Sequence, residues 1–101
     1  MLHVIFAEGL EDKEYIAKHT EGIEALKESV KSYTPERVAE ICGLDKQLII
    51  DAARMYASTH KSYIAYAMGI TQHLNGSDNV KSLSNLALVT GNLGGVGNGV
   101  N

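Results

Sequence analysis

With one cysteine, one proline, one phenylalanine and no tryptophan, this 101-residue sequence excludes several kinds of protein at once. The single Cys42 excludes an internal disulfide, and also any multi-cysteine metal or iron–sulfur site built by this chain alone. A single Pro35 excludes a proline-rich linker. No apolar run is long enough to span a bilayer: the uncharged stretch Ser62 to Ser77 is interrupted by Gln72, His73 and Asn75. The formal net charge of −3 and the lack of a basic stripe argue against a nucleic-acid partner. Met1 to Glu8 has no basic stretch ahead of an apolar one and reaches an acidic residue early, so no signal peptide is expected and a reducing, cytoplasmic setting is.

What is present is ordinary in amount and uneven in placement. Apolar residues make up 45% and charged residues 21%, the range of a globular chain. Of the 9 basic and 12 acidic side chains, only Asp78 and Lys81 fall after Lys61, yet seven of the ten glycines do. A surface that faces water carries more charge than that, so residues 62–101 read as a region to be covered by a cofactor, a partner or the rest of a longer chain. The chain therefore divides into a charged multi-helix segment, 1–61, and a strand–loop–helix segment with a glycine-rich tail, 62–101, within one domain.

In the first segment, Met1 to Glu8 suits a helix or a strand. Asp12 can cap a helix running to His19. Ile23, Leu26, Val30 and Tyr33 recur at steps of three and four, one face of a helix. Thr34-Pro35 opens the next, with Val38 and Ile41 on its inner side, Cys42 read as core, and Gly43 as a left-handed stop. Asp45 caps a longer helix whose buried stripe is Ile49, Ala52, Ala53 and Tyr56. In the second segment, Ser62 to Ala67 reads as a buried strand. Met68 to Gly76 reads as a loop, and Ser77 as the cap of a last helix carrying Val80, Leu83, Leu86, Ala87 and Val89 and ended by Gly91. The tail from Gly91 onward, with five glycines in eleven residues, is expected to be irregular. The expected fold is mainly α with one principal β-strand, cut from a Rossmann-like α/β domain. A lone strand needs ladder partners, so either dimerisation through it or a larger parent sheet is expected.

Ligands of open α/β sheets sit beyond the carboxyl ends of strands, which points to Met68–His73. Gly69 would admit a ligand close to the backbone, and Gln72 offers donors and an acceptor to a heterocycle edge; a purely structural turn is the alternative. The glycine-rich tail follows a helix and lacks Gly-Lys-Ser/Thr, which excludes a phosphate loop; it reads as a tight connection or as chain bent around a bulky cofactor. His3, His19, His60 and His73 show no metal-ligand spacing, and His60 suits dipole stabilisation near a helix end. No nucleophile–base pair is visible, so a small independent enzyme is not expected.

Several stretches resemble the molybdopterin oxidoreductase family. Asp12-Lys13-Glu14-Tyr15-Ile16 with His19-Thr20-Glu21-Gly22, and Tyr33-Thr34-Pro35-Glu36 through Gly43, match two of its motifs in order. Ala67-Met68-Gly69-Ile70-Thr71-Gln72-His73 and Asn85-Leu86-Ala87-Leu88-Val89-Thr90-Gly91-Asn92-Leu93-Gly94 are the specific ones, and they point to formate dehydrogenase alpha subunits, with nitrate reductases as relatives. The resemblance implies a bis-(molybdopterin guanine dinucleotide) cofactor with molybdenum or tungsten, contacted by Met68 and Gln72 with Gly69 between them. It implies oxidation of formate to carbon dioxide, with electrons passed to an iron–sulfur cluster. The family's cysteine cluster, its metal-ligating cysteine or selenocysteine and the adjoining histidine have no counterpart here, and Cys42 does not match the ligand position. The arginine motif of the family would begin just after Asn101. No catalytic residue and no metal ligand is therefore assigned, and the rest of a parent enzyme is the expected partner. The rival expectation is a non-catalytic helical interaction module.

Overall fold

The computed structural model describes residues 1–59 and 61–101; His60, and the dipole role expected for it, lie outside the described residues. Five helices come first: α1 (Leu2–Ala7), α2 (Lys13–His19), α3 (Ile23–Val30), α4 (Pro35–Cys42) and α5 (Lys46–Ser58). Then follow β1 (Tyr63–Ile64), the one-turn α6 (Met68–Thr71), α7 (Gly76–Val89) and β2 (Gly99–Val100). Among the described residues no helix is long and apolar enough to cross a membrane.

The helix starts follow from side-chain oxygens that accept otherwise unpaired backbone N–H groups. Asp12 accepts from Tyr15 N at 2.9 Å, Thr34 from Arg37 N at 3.2 Å and Asp45 from Gln47 N at 2.8 Å. Each such cap stabilises by about 1 kcal/mol. Gly43 ends α4 in the left-handed region, at φ 69°, its N–H bonded to Ala39 O. Residues Met1 to Glu8, left open between helix and strand, form α1, because Val4 and Ile5 enter the core from one side of a turn. That core joins α1, α2, α5 and α7 through Val4, Ile5, Ile16, Ala53, Leu86 and Val89.

Other expectations are corrected. Tyr33 lies past the end of α3, half exposed, with the Arg37 guanidinium 4.9 Å over its ring. Ala52 faces outward from α5, whereas Ile50 packs against the core in its place. Ile41 and Cys42 are exposed, because α4 rests on α5 and no described element covers its far side. Ser77 caps nothing: α7 begins at Gly76, with Asn75 before it making no capping bond. The strand is shorter than expected and is not buried, since Tyr63 is 55% exposed.

The largest correction concerns the tail. Gly99–Val100 is a second strand, parallel to β1, with Tyr63 opposite Gly99 and Ile64 opposite Val100. Gly99 N donates to Ser62 O, Asn101 N to Ile64 O, and Tyr66 N to Asn101 O at 2.8 Å. Gly99 adopts φ 141°, a conformation open to glycine, so the glycines that argued against regular structure are part of what permits it. The strand is therefore not alone, and β1–α7–β2 is a parallel crossover unit. The alternate residues Tyr63 and Ala65 turn their backbone groups away from β2, toward an open edge.

Candidate functional site

Three residues past β1 the chain turns once as α6 and then enters α7. The expected loop at Met68–Gly76 is thus partly helical: Gln72 N donates to Met68 O at 2.9 Å, which places Met68 and Gln72 one turn apart. The turn is small because glycine and short loops surround it, and it is held from both sides. His73 Nε2 lies 2.9 Å from Gly69 O, and Asn79 Nδ2 donates to Ile70 O at 3.0 Å. Gly76 is buried so closely against this turn that a Cβ there would stand 2.1 Å from Thr71 O.

The residues singled out from the sequence are all brought together on this turn, facing outward. Met68 is 65% exposed. An added Cβ at Gly69 would meet nothing within 4 Å. Gln72 is exposed, and its side-chain amide makes no hydrogen bond among the described residues. Leu74, at the tip, is fully exposed. The segment thus presents a thioether, an open backbone stretch and a neutral amide on one uncharged projection. It is not a pocket within this chain. The larger concavities lie elsewhere: a groove of 790 Å3 runs past Leu2, His3, Leu26, Val30 and Lys81, and one of 400 Å3 lies between Tyr15, His19 and the glycine-rich tail.

The tail is held by side chains that the sequence did not single out. Asn92 is the one buried polar residue among those described, at 1% exposure. Its Oδ1 accepts from Ser62 N at 2.9 Å and its Nδ2 donates to Thr90 Oγ1 at 2.8 Å. Tyr15 Oη donates to Leu93 O at 2.9 Å, and Asn98 Oδ1 accepts from Gly95 N at 2.9 Å. The Tyr56 hydroxyl is buried without a partner, facing Thr90 and Asn92, and burial pushes its phenol upward from 10.0. Asparagine after a helix-ending glycine reads as a turn residue, and only the lack of nearby charge hinted that this one is enclosed.

Of the histidines, His3 Nδ1 lies 3.0 Å from Val30 O and His19 packs its ring 4.6 Å from that of Tyr15. Among the described residues no three His, Cys, Asp or Glu side chains converge as a metal site. The arrangement can line a ligand.

No family model matches the chain. Curated relatives match it along its whole length. It is 52% identical over 101 residues to the F420-dependent formate dehydrogenase subunit alpha of Methanocaldococcus jannaschii, and covers 15% of that protein. It is 46% identical over 101 residues to formate dehydrogenase H of Escherichia coli, covering 14% of it. A further relative, F420-dependent formate dehydrogenase 1 subunit alpha of Methanococcus maripaludis, is 46% identical with 15% covered. The chain spans about 15% of the length of these relatives. It belongs to the formate dehydrogenase alpha subunit family.

Proposed function

We propose that this chain forms one wall of the cofactor site in a formate dehydrogenase, with Met68, Gly69 and Gln72 as the contacting residues. The observation that carries the reading is their joint exposure on one turn past the carboxyl end of β1, with the Gln72 amide unpartnered among the described residues. The proposed group is a bis-(molybdopterin guanine dinucleotide) with molybdenum or tungsten. Its pterin rings offer flat faces and edges of alternating donors and acceptors. Met68 suits the first, the Gln72 amide the second, and Gly69 lets either come close to the backbone. These residues fit the heterocycle and not the pyrophosphate, for which the turn offers no positive charge.

When bound, the group supplies the two-electron chemistry that converts formate to carbon dioxide. The part of this chain is to bind and orient, and its uncharged projection helps to exclude water. Cys42 is a free, exposed thiol on α4 to which this reading gives no ligand role; it assigns the metal and iron–sulfur ligands to the rest of the whole protein. The remainder of the alpha subunit is accordingly the partner of this segment, extending its sheet into a Rossmann-like α/β domain. The parallel β1–α7–β2 unit and the open edge at Tyr63 and Ala65 support that extension, because parallel strands are normally covered on both faces and paired on both sides. The reading includes a cytoplasmic location, which rests on composition.

The test is Gln72→Ala in a complete alpha subunit. Loss of one or two hydrogen bonds, each contributing about 1 kcal/mol, should lower metal and pterin retention roughly fivefold to thirtyfold. Molybdenum or tungsten and pterin contents equal to those of the parent would refute the role.

A further inference from the structure

We propose that Asn92 is a positioning residue for this wall, acting as a side-chain link that sets β1 against the carboxyl end of α7. The inference rests on the wall reading above. In the ladder, β2 supplies partners for Ser62 O, Ile64 O and Tyr66 N. It supplies none for Ser62 N, which is taken instead by Asn92 Oδ1 at 2.9 Å. The same amide is anchored at the end of α7 through Thr90 Oγ1, and its backbone N–H donates to Ala87 O at 2.8 Å. One residue thus joins three elements: the carboxyl end of α7, the first residue ahead of β1 and the start of the glycine-rich tail.

The joint matters at its far end. Register in a strand pair is all or none, since a slip of one residue turns every side chain to the other face. Two-residue strands with exposed edges specify register weakly through side-chain packing. Asn92 adds a fixed point outside the ladder: its buried amide, bonded to Ser62 N, sets where β1 starts against the end of α7, and any shift of β1 strands that amide unpaired in the interior. At the other end, Tyr66 N bonds Asn101 O, next to Ala67 and the turn that bears Met68 and Gln72. Asn92 therefore sets where that turn projects without touching what it meets.

The test compares Asn92→Leu, Asn92→Asp and Gln72→Ala in the complete alpha subunit. Readouts are metal and pterin content and the spectroscopic signature of the metal centre in the loaded fraction. Asn92→Leu fills the same space with no hydrogen bonds, and should lower content roughly tenfold and shift the signature of what remains. Asn92→Asp keeps an acceptor for Ser62 N but buries a carboxylate and gives up the donor to Thr90 Oγ1, so it should lose content and keep the parental signature in the loaded fraction. Parental content and signature in Asn92→Leu would overturn the inference, as would an equal shift of the signature in the two variants. Should Asn92→Leu fail to fold, Thr90→Val, which releases only the Nδ2 anchor, replaces it, and a parental signature there overturns the inference. Loss in Gln72→Ala with none in Asn92→Leu removes this inference alone. Parental content in Gln72→Ala removes the wall reading and this inference together.

Discussion

Residues 1–61 hold four of the five ion pairs among the described residues; residues 62–101 hold only Lys81–Asp78. Exposure of apolar side chains does not separate the two regions: Ile41, Leu44 and Leu48 stand out in the first as Met68, Leu74 and Val96 do in the second. What differs is the company they keep. Around the first set, Glu36 pairs with Lys46, and Arg54 reaches Glu8 at 2.7 Å. Around the second, no charge falls between Ser62 and Ser77 or after Lys81. An apolar residue among charges is tolerated by water at little cost, whereas an uncharged stretch of exposed backbone and apolar tips is a surface awaiting a cover.

If the first region supplies the stability and the second a face, the sharpest way to break the contrast is by matched truncations. Ile5→Ala empties a fully buried site at the centre of the core and should destabilise the chain by about 2–5 kcal/mol in urea unfolding. Leu74→Ala, at a fully exposed tip, should change stability by less than about 0.5 kcal/mol. Comparable losses in the two would mean that the projecting turn is a second core, and the division between the regions would fail.

A smaller effect sharpens the comparison from within the second region, where shape is set by backbone approach more than by side-chain volume. Gly76→Ala places a methyl group against Thr71 O and should destabilise by about 1–3 kcal/mol, with faster protease cleavage between residues 67 and 76. Gly69→Ala, with open space around it inside a helical turn, should be neutral or stabilising by up to about 1 kcal/mol. Equal costs at the two glycines would remove the argument that the close approach at Gly76 helps to fasten the turn to α7.

The same contrast governs what could be read from the residues. The caps at Asp12, Thr34 and Asp45 and the stop at Gly43 were legible, because a cap is a contract between neighbours three residues apart. Partners distant in sequence were not. Gly99–Val100 pairs with Tyr63–Ile64 across α7, and no local property of a glycine-rich stretch announces that partner. Ile41 and Cys42 were misjudged for a related reason: periodicity shows which side of a helix is apolar and leaves open whether this chain or another covers it. That Met68, Gly69 and Gln72 lie together past a strand was legible from their spacing, and the structure puts them on one exposed turn. Asn92 was not, since an asparagine in a turn and one closing a buried joint look alike in sequence.

The smallest expected effect lies at the seam between the regions. Tyr56 of α5 faces Thr90 and Asn92, and burial raises its phenol above 10.0, with those two neighbours acting weakly in the opposite direction. A raised value means that the folded chain favours the neutral phenol. The associated stability is therefore fully present below the unfolded value and is lost as pH rises through the folded one. Urea midpoints of the 101-residue chain should fall as pH rises past the ordinary tyrosine value of about 10, with part of that fall belonging to this residue. Tyr56→Phe removes both the titrating group and a buried hydroxyl without a partner, so its midpoint should match or exceed the parent's near neutrality and decline less steeply in alkali. The chain's other four tyrosines are common to both proteins, so the difference between the two curves isolates Tyr56. Parallel curves would show that the seam leaves this phenol in contact with water, and that α5 and the tail meet less closely than the Asn92 joint implies.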